Sequence, residues 1–127
     1  MYSKNAYNAY KQNSINYASK EQMLLIILDA AVKYSQTGRQ AIEDGDIKKA
    51  HENIMKTQDI FYELMTALEV EKADNWGRKL MAVYEYITKK LTEANIKKQK
   101  KILDEIIPLI EEVRDMWYKA SKLAVTK

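Results

Sequence analysis

The chain has no cysteine, one proline, three glycines and one histidine in 127 residues. Without cysteine there are no disulfides, thiolate metal sites or thiol nucleophiles, which agrees with a reducing compartment. So few glycines and prolines supply too few turn formers for a sheet of many short strands. They also leave no glycine loop to cradle a phosphate, and neither a Gly-x-Ser-x-Gly elbow nor the Glu-x-x-His of a di-iron bundle occurs. Carboxylates do stand side by side at Asp104-Glu105 and Glu111-Glu112, but helix neighbours i and i+1 diverge and cannot share a proton or a metal. His51, being alone, is assigned no role. No enzyme, metal or cofactor is expected.

Two further features are missing. No window of about 18 apolar residues occurs, and the N-terminus lacks an apolar core followed by a small-residue cleavage site; a cytoplasmic protein without membrane insertion is the expectation. Neither sign of charge dominates: 21 basic residues face 18 acidic ones, and only three of the basic residues are Arg. Nucleic acid is therefore not an expected partner, and the run Lys97-Lys98-Gln99-Lys100-Lys101 reads as a solvated helix junction.

What is abundant is Leu, Ile, Met and Ala, which favour helix. Residues 1–18 hold Tyr2, Tyr7, Tyr10 and Tyr17 with no acidic side chain and little helical period, and form a separate Tyr-rich segment. Ser19-Lys20-Glu21-Gln22 fits a capping box, so a first helix should start at Lys20 and run to about Glu43. Asp44-Gly45-Asp46 then offers a left-handed stop and a carboxylate N-cap. The second helix carries Ile47, Ala50, Ile54, Phe61, Met65 and Leu68 along one side, and the stretch 69–77 reads as a longer loop. A third helix begins near Asn75, with Trp76, Leu80, Val83, Tyr84, Ile87, Leu91 and Ala94 inward and a turn or frayed end from Asn95. A fourth spans roughly Gln99 to Leu123, with Pro108 expected to bend it. Short connections make successive helices antiparallel. The expected fold is all-α, an antiparallel up-down four-helix bundle domain over 19–127, preceded by an extended or short helical segment over 1–18.

The run MLLIILDAAV, residues 23–32, is more apolar than one core face requires. With Met23 as zero and about 100° per residue, Met23, Ile26, Ile27, Ala30, Tyr34 and Ala41 form a core stripe, while Leu24, Leu28 and Ala31 lie about 80 to 140° to one side. Ile60, Leu64 and Ala67 on the second helix and Tyr86 on the third diverge similarly. Such spillover either packs between bundle neighbours or forms grooves for an amphipathic partner helix, and the Tyr-rich segment could cover it. On the groove reading Leu24, Leu28, Ile60, Leu64 and Tyr86 are the contacts. A scaffold that oligomerises, or docks a different amphipathic helix, is the alternative.

The order Ala9-Tyr10, Asn13-Ser14, Ala18-Ser19 and an apolar helix carrying Asp29 resembles the start of the flagellar secretion chaperone family FliS. Further on, Ala41-Ile42, Asp46, Lys56 to Ile60, Glu63-Leu64, Leu68, Leu80, Val83-Tyr84-Glu85-Tyr86-Ile87, Leu91, Ala94-Asn95 and Trp117 keep that family's order and spacing over nearly the whole chain. Lys20, Leu28 and Ala30 depart from it, standing where Pro, an aromatic and Gly are usual. The resemblance implies a helical bundle that binds the disordered C-terminal region of flagellin one to one, prevents premature polymerisation, and helps deliver it to the flagellar type III export gate. It also implies that Tyr7 and Tyr10 take part in partner binding.

Overall fold

The computed structural model describes the backbone over residues 20–68 and 75–125 and the side chains of 22–68 and 75–122. Ser19, the Tyr-rich segment 1–18 and most of the expected 69–77 loop fall outside the described residues. Four helices account for nearly all the rest: α1 Lys20–Glu43, α2 Ile47–Ala67, α3 Asn75–Lys97 and α4 Lys100–Val125. Among the described residues there is no strand.

The turns are built as their residues dictate. Gly45 takes φ 77°, a conformation that costs an L side chain energy but not glycine, and the Asp46 carboxylate accepts from the Lys49 amide at 3.1 Å to cap α2. Helix α3 continues past Asn95 to Lys97, slightly further than the polar run suggests, because Lys98 itself makes the turn at φ 51°. Its ammonium folds back onto the Asn95 carbonyl and donates to the Asn95 side-chain oxygen at 2.6 Å. Lys97 pairs with Glu93 and Lys100 with Asp104, so much of the lysine run is engaged at this corner. Helix α4 runs unbroken through Pro108. Pro108 and Asp104 are both exposed, so water can satisfy the carbonyl that a missing amide would leave free.

Cross-helix contacts fix the topology. Gly38 meets Ile54 and Tyr34 meets Lys56, so α1 and α2 run antiparallel. Gln58 reaches Thr88 and Thr92 while His51 Nδ1 lies 3.2 Å from Asn95 Oδ1, making α2 and α3 antiparallel. Arg39–Asp104 and Asp29–Arg114 do the same for α1 and α4. Each helix packs on its two neighbours in a ring, and the backbones of the diagonal pairs stay apart. This is the expected up-down bundle.

The ring encloses one apolar core centred on Leu28, Ile54, Phe61, Tyr84, Ile87 and Ile106, in which Phe61 meets Tyr84 edge to face at 5.8 Å. Buried polar side chains accompany it, each with a partner: Ser35 donates to the Val32 carbonyl at 2.8 Å, Thr57 to the Asn53 carbonyl at 2.9 Å, and Gln58 to Thr92 at 2.6 Å. Among the described residues no buried side-chain polar atom lacks a hydrogen bond, as a low-dielectric interior demands.

The expected inward direction of α1 is wrong. Leu25, Leu28, Ala31, Val32, Ser35 and Ala41 face the core, whereas Ile26 is 43% exposed and Met23, Ile27, Ala30 and Tyr34 are only half-buried. An almost unbroken apolar run has no preferred face of its own. The face is set further along the helix, where Ala31 and Ser35 are fully buried and Gly38 lies so close to α2 that a Cβ on it would sit 3.2 Å from Ile54 Cγ1. On α2 the inward set likewise includes Leu64, while Ile47 lies at the open end of the bundle and is exposed.

Candidate partner-binding surface

Rotation of α1 turns the sequence expectation around: the apolar excess exists, but other residues carry it. Leu28 is completely buried and Leu64 is 6% exposed, both within the main core cluster. Neither can be a groove contact in this conformation, because Leu28 points the way Ser35 and Val32 do and Leu64 lies one turn beyond Phe61. Leu24 and Ile60 are half-buried, packed against the core from outside. Tyr86 is 47% exposed, with the Lys90 ammonium 5.8 Å from its ring centre. Tyr7 and Tyr10 lie outside the described residues.

Two apolar furrows result. The first follows the α1–α2 seam, whose outer side is marked by the Lys56 ammonium 5.2 Å from the Tyr34 ring. Met23 and Ile27 share the Tyr34 side of α1 at spacings of four and seven, Ile26 and Ala30 flank them, and Ile60 faces them from α2. The second follows the α3–α4 seam on the opposite side of the ring. There Trp76 and Trp117 meet edge to face at 6.3 Å, the Trp117 indole N–H donates to the Tyr84 hydroxyl at 3.1 Å, and Trp76, Tyr86 and Met116 remain 52%, 47% and 41% exposed. A shallow depression of about 500 Å³ adjoins Met116, lined also by Glu112, Asp115, Lys119 and Ala120.

The predicted contacts are thus not brought together. Leu24 and Ile60 belong to the α1–α2 side about two turns apart, and Tyr86 belongs to the α3–α4 side. Sequence reasoning placed Met23, Ile26, Ile27, Ala30 and Trp76 in the core; the small-residue spacing Ala31, Ser35, Gly38 was the available signal that the core face of α1 lies elsewhere.

Electrostatics adds little chemistry. Burial pushes the Tyr84 hydroxyl above its ordinary range, partly offset by the Trp117 hydrogen bond. The hydrogen bond from Lys97, with Lys90 nearby, holds the Glu93 carboxyl below the usual carboxylate range. Among the described residues no group of His, Asp and Glu side chains is arranged to hold a metal ion, and no helix is long and apolar enough to cross a membrane.

The family model for "Flagellar protein FliS" matches residues 3–124. The chain belongs to the FliS family. Within that family it is 34% identical over 118 residues to the flagellar secretion chaperone FliS of Bacillus subtilis strain 168, covering 91% of this chain and 86% of that one. It is 26% identical over 129 residues to its counterpart in Salmonella typhimurium, covering 98% and 96%. A crystal structure of a bacterial flagellar chaperone superposes with a TM-score of 0.75 at 18% identity, over 93% of this chain and 96% of the other, and shows the same fold.

Proposed function

We propose that this FliS-family chain is a cytoplasmic export chaperone for flagellin, binding the disordered C-terminal region of its client one to one and so preventing premature polymerisation before delivery to the type III export gate. The names of the relatives support the secretion-chaperone reading. The observation that carries the mechanism is the apolar surface left on opposite sides of a ring whose core is already full: Met23, Ile26 and Ile27 on one side, Trp76, Tyr86 and Met116 on the other. Leu24 and Ile60 would form the inner wall of the first furrow. A disordered client that folds on such surfaces offsets its ordering cost with burial on the order of 1,000 to 3,000 Å², and every residue so held is withheld from other flagellin subunits. Residues 1–18 form a segment distinct from the 19–127 bundle, and Tyr7 and Tyr10 act from it as a movable cover or clamp.

Calorimetric titration of the full chain with the C-terminal segment of the flagellin from the same genome tests this. A one-to-one complex, with helix gained by the segment in circular dichroism, is expected. If neither appears, the chaperone reading fails and the oligomerising scaffold takes its place. Tyr10→Ala should weaken binding without loss of helicity; unchanged affinity would remove Tyr10 from the site.

A further inference from the structure

Of the four seams in the ring, α1–α4 is bridged by the Arg39–Asp104 and Asp29–Arg114 ion pairs, and the two apolar furrows lie along α1–α2 and α3–α4. The α2–α3 seam remains. Its inner side is marked by Gln58, which donates to Thr92 and to the Thr88 carbonyl, and by His51 beside Asn95. Taking Ile54 and Tyr84 as the inward directions of the two helices, at about 100° per residue, Met55 and Tyr62 lie further out on the α3 side of α2. Met81 and Ile96 lie likewise on the α2 side of α3. Met55, Tyr62 and Ile96 are 39%, 48% and 78% exposed.

The rims beyond this apolar strip differ in charge. On α2 the rim is Glu52, Asp59 and Glu63, with Lys48 the exception at the first turn; on α3 it is Arg78 and Lys89, with Glu85 the exception. Glu93, at the outer edge of α3, is already paired with Lys90 and Lys97 on the α4 side. The cross-helix contacts put Asp59 level with Lys89 and Tyr62 level with Glu85. Asp59 and Lys89 are both exposed, and neither is in an ion pair. Each lies about 140° from its own inward direction, so the two diverge.

We propose that the α2–α3 face is the contact between two copies of the chain, related by a twofold axis that lies in the contact parallel to the helices. Such an axis lays α2 of one copy over α3 of the other at the same height. Asp59 of each copy then meets Lys89 of the other, and the Tyr62 hydroxyl donates to Glu85 of the other, which matches the acidic exception on the α3 rim. Met55, Met81 and Ile96 are covered by the same contact. A twofold axis perpendicular to the helices would instead set the acidic rim against itself. The chain's own residues 1–18, with Lys4 and Lys11 and no acidic side chain, complement only the α2 rim. A second copy complements both.

An isologous contact of this kind closes at two copies. Two helices about 30 Å long and about 10 Å apart present on the order of 600 Å² per copy, at the small end of specific interfaces. The dimer should therefore dissociate on dilution. Both apolar furrows open on its flanks, so each copy keeps its client surface, and the inference does not depend on the chaperone function.

Sedimentation velocity of the full chain over a series of concentrations tests this, and a reversible monomer–dimer equilibrium is the expected result. Asp59→Lys alone and Lys89→Asp alone each set like charges opposite one another twice in the dimer, and each should weaken it on the order of tenfold or more. An equimolar mixture of the two variants restores both pairs in a heterodimer, and Asp59→Lys with Lys89→Asp in one chain restores both in a homodimer. Both should recover most of the parent's affinity. Ile96→Asp should weaken the dimer through the apolar strip, Lys33→Glu on α1 should associate like the parent, and circular dichroism should show unchanged helicity in all variants. A chain that is monomeric at its highest soluble concentration, or a dimer equally tight in both single variants, overturns the proposal. Adding the flagellin C-terminal segment separates this contact from the chaperone reading. A dimer that obeys the charge swaps but takes up no segment leaves the contact standing and removes the chaperone reading, whereas a chain that binds the segment and never dimerises does the reverse.

Discussion

The orientation of α1 can be tested by a matched pair of substitutions about half a turn apart, Leu28→Ala and Ile26→Ala. Leu28 is fully enclosed by the main core, whereas Ile26 is 43% exposed. Truncating an enclosed leucine loses the transfer free energy of the removed methyl groups and leaves a cavity that the close approach of α1 and α2 cannot collapse, at about 3 kcal/mol within the usual range of roughly 2 to 5. Truncating Ile26 removes groups already partly in water and leaves no cavity, at about 1 kcal/mol or less. At roughly 4 °C per kcal/mol for a domain of this size, Leu28→Ala should lower Tm by about 12 °C and Ile26→Ala by less than about 4 °C. The assay is thermal unfolding followed by far-ultraviolet circular dichroism, checked by urea titration with an unchanged m-value. Binding should respond in the opposite order, Ile26→Ala weakening capture of the flagellin segment more than Leu28→Ala measured well below its Tm. Equal destabilisation by the two variants, or a larger effect at Ile26, would refute the placement of the core face and of the α1–α2 furrow.

Two further outcomes follow from the packing. Gly38→Val should cost about 1 to 3 kcal/mol, because even the Cβ would stand 3.2 Å from Ile54 Cγ1; a neutral effect in urea unfolding would show that α1 and α2 are further apart. Burial raises the Tyr84 pKa, so the unfolded chain ionises this group first. Stability contributed by the neutral hydroxyl is complete below about pH 10, the unfolded value, and declines as pH rises from there through the folded value. Tyr84→Phe should therefore flatten the alkaline limb of the stability profile while losing about 1 kcal/mol at neutral pH with the Trp117 hydrogen bond. An identical alkaline slope in parent and variant would contradict that assignment.

Helix boundaries and topology were legible because local chemistry writes them. Asp44-Gly45-Asp46 encodes a stop and a cap in adjacent residues, and both form as expected. Inward faces were legible on α3 and α4, where Tyr84, Ile87, Leu91, Ile106, Ile107 and Ile110 are set among charged residues that define a direction. On α1 the run from Met23 to Val32 is interrupted only by Asp29, so periodicity there gives no unique answer and the packing of Gly38 against α2 decides. That misplaced direction moved Leu28 to the surface and Ile26 to the core, and a similar error on α2 moved Leu64 outward. The presence of surplus apolar surface could be read from composition and spacing, but its location required the ring of neighbours. Trp76 illustrates the limit. Its spacing matches the core stripe of α3, yet it stands at the first turn, where the enclosing helices no longer cover it and 52% of it remains exposed.

A client chain that lands on the outer furrows must leave the core untouched. The most direct measurement is a methyl NMR titration of the Met- and Ile-labelled protein with the flagellin C-terminal segment. The methyl groups of Met23, Ile26, Ile27 and Met116 should shift together and saturate at one equivalent, while those of Ile54, Ile87 and Ile110 hold their positions. Shifts confined to Ile47 and Ile96 at the opposite, lysine-rich end of the bundle, or a uniform change throughout the core, would contradict it.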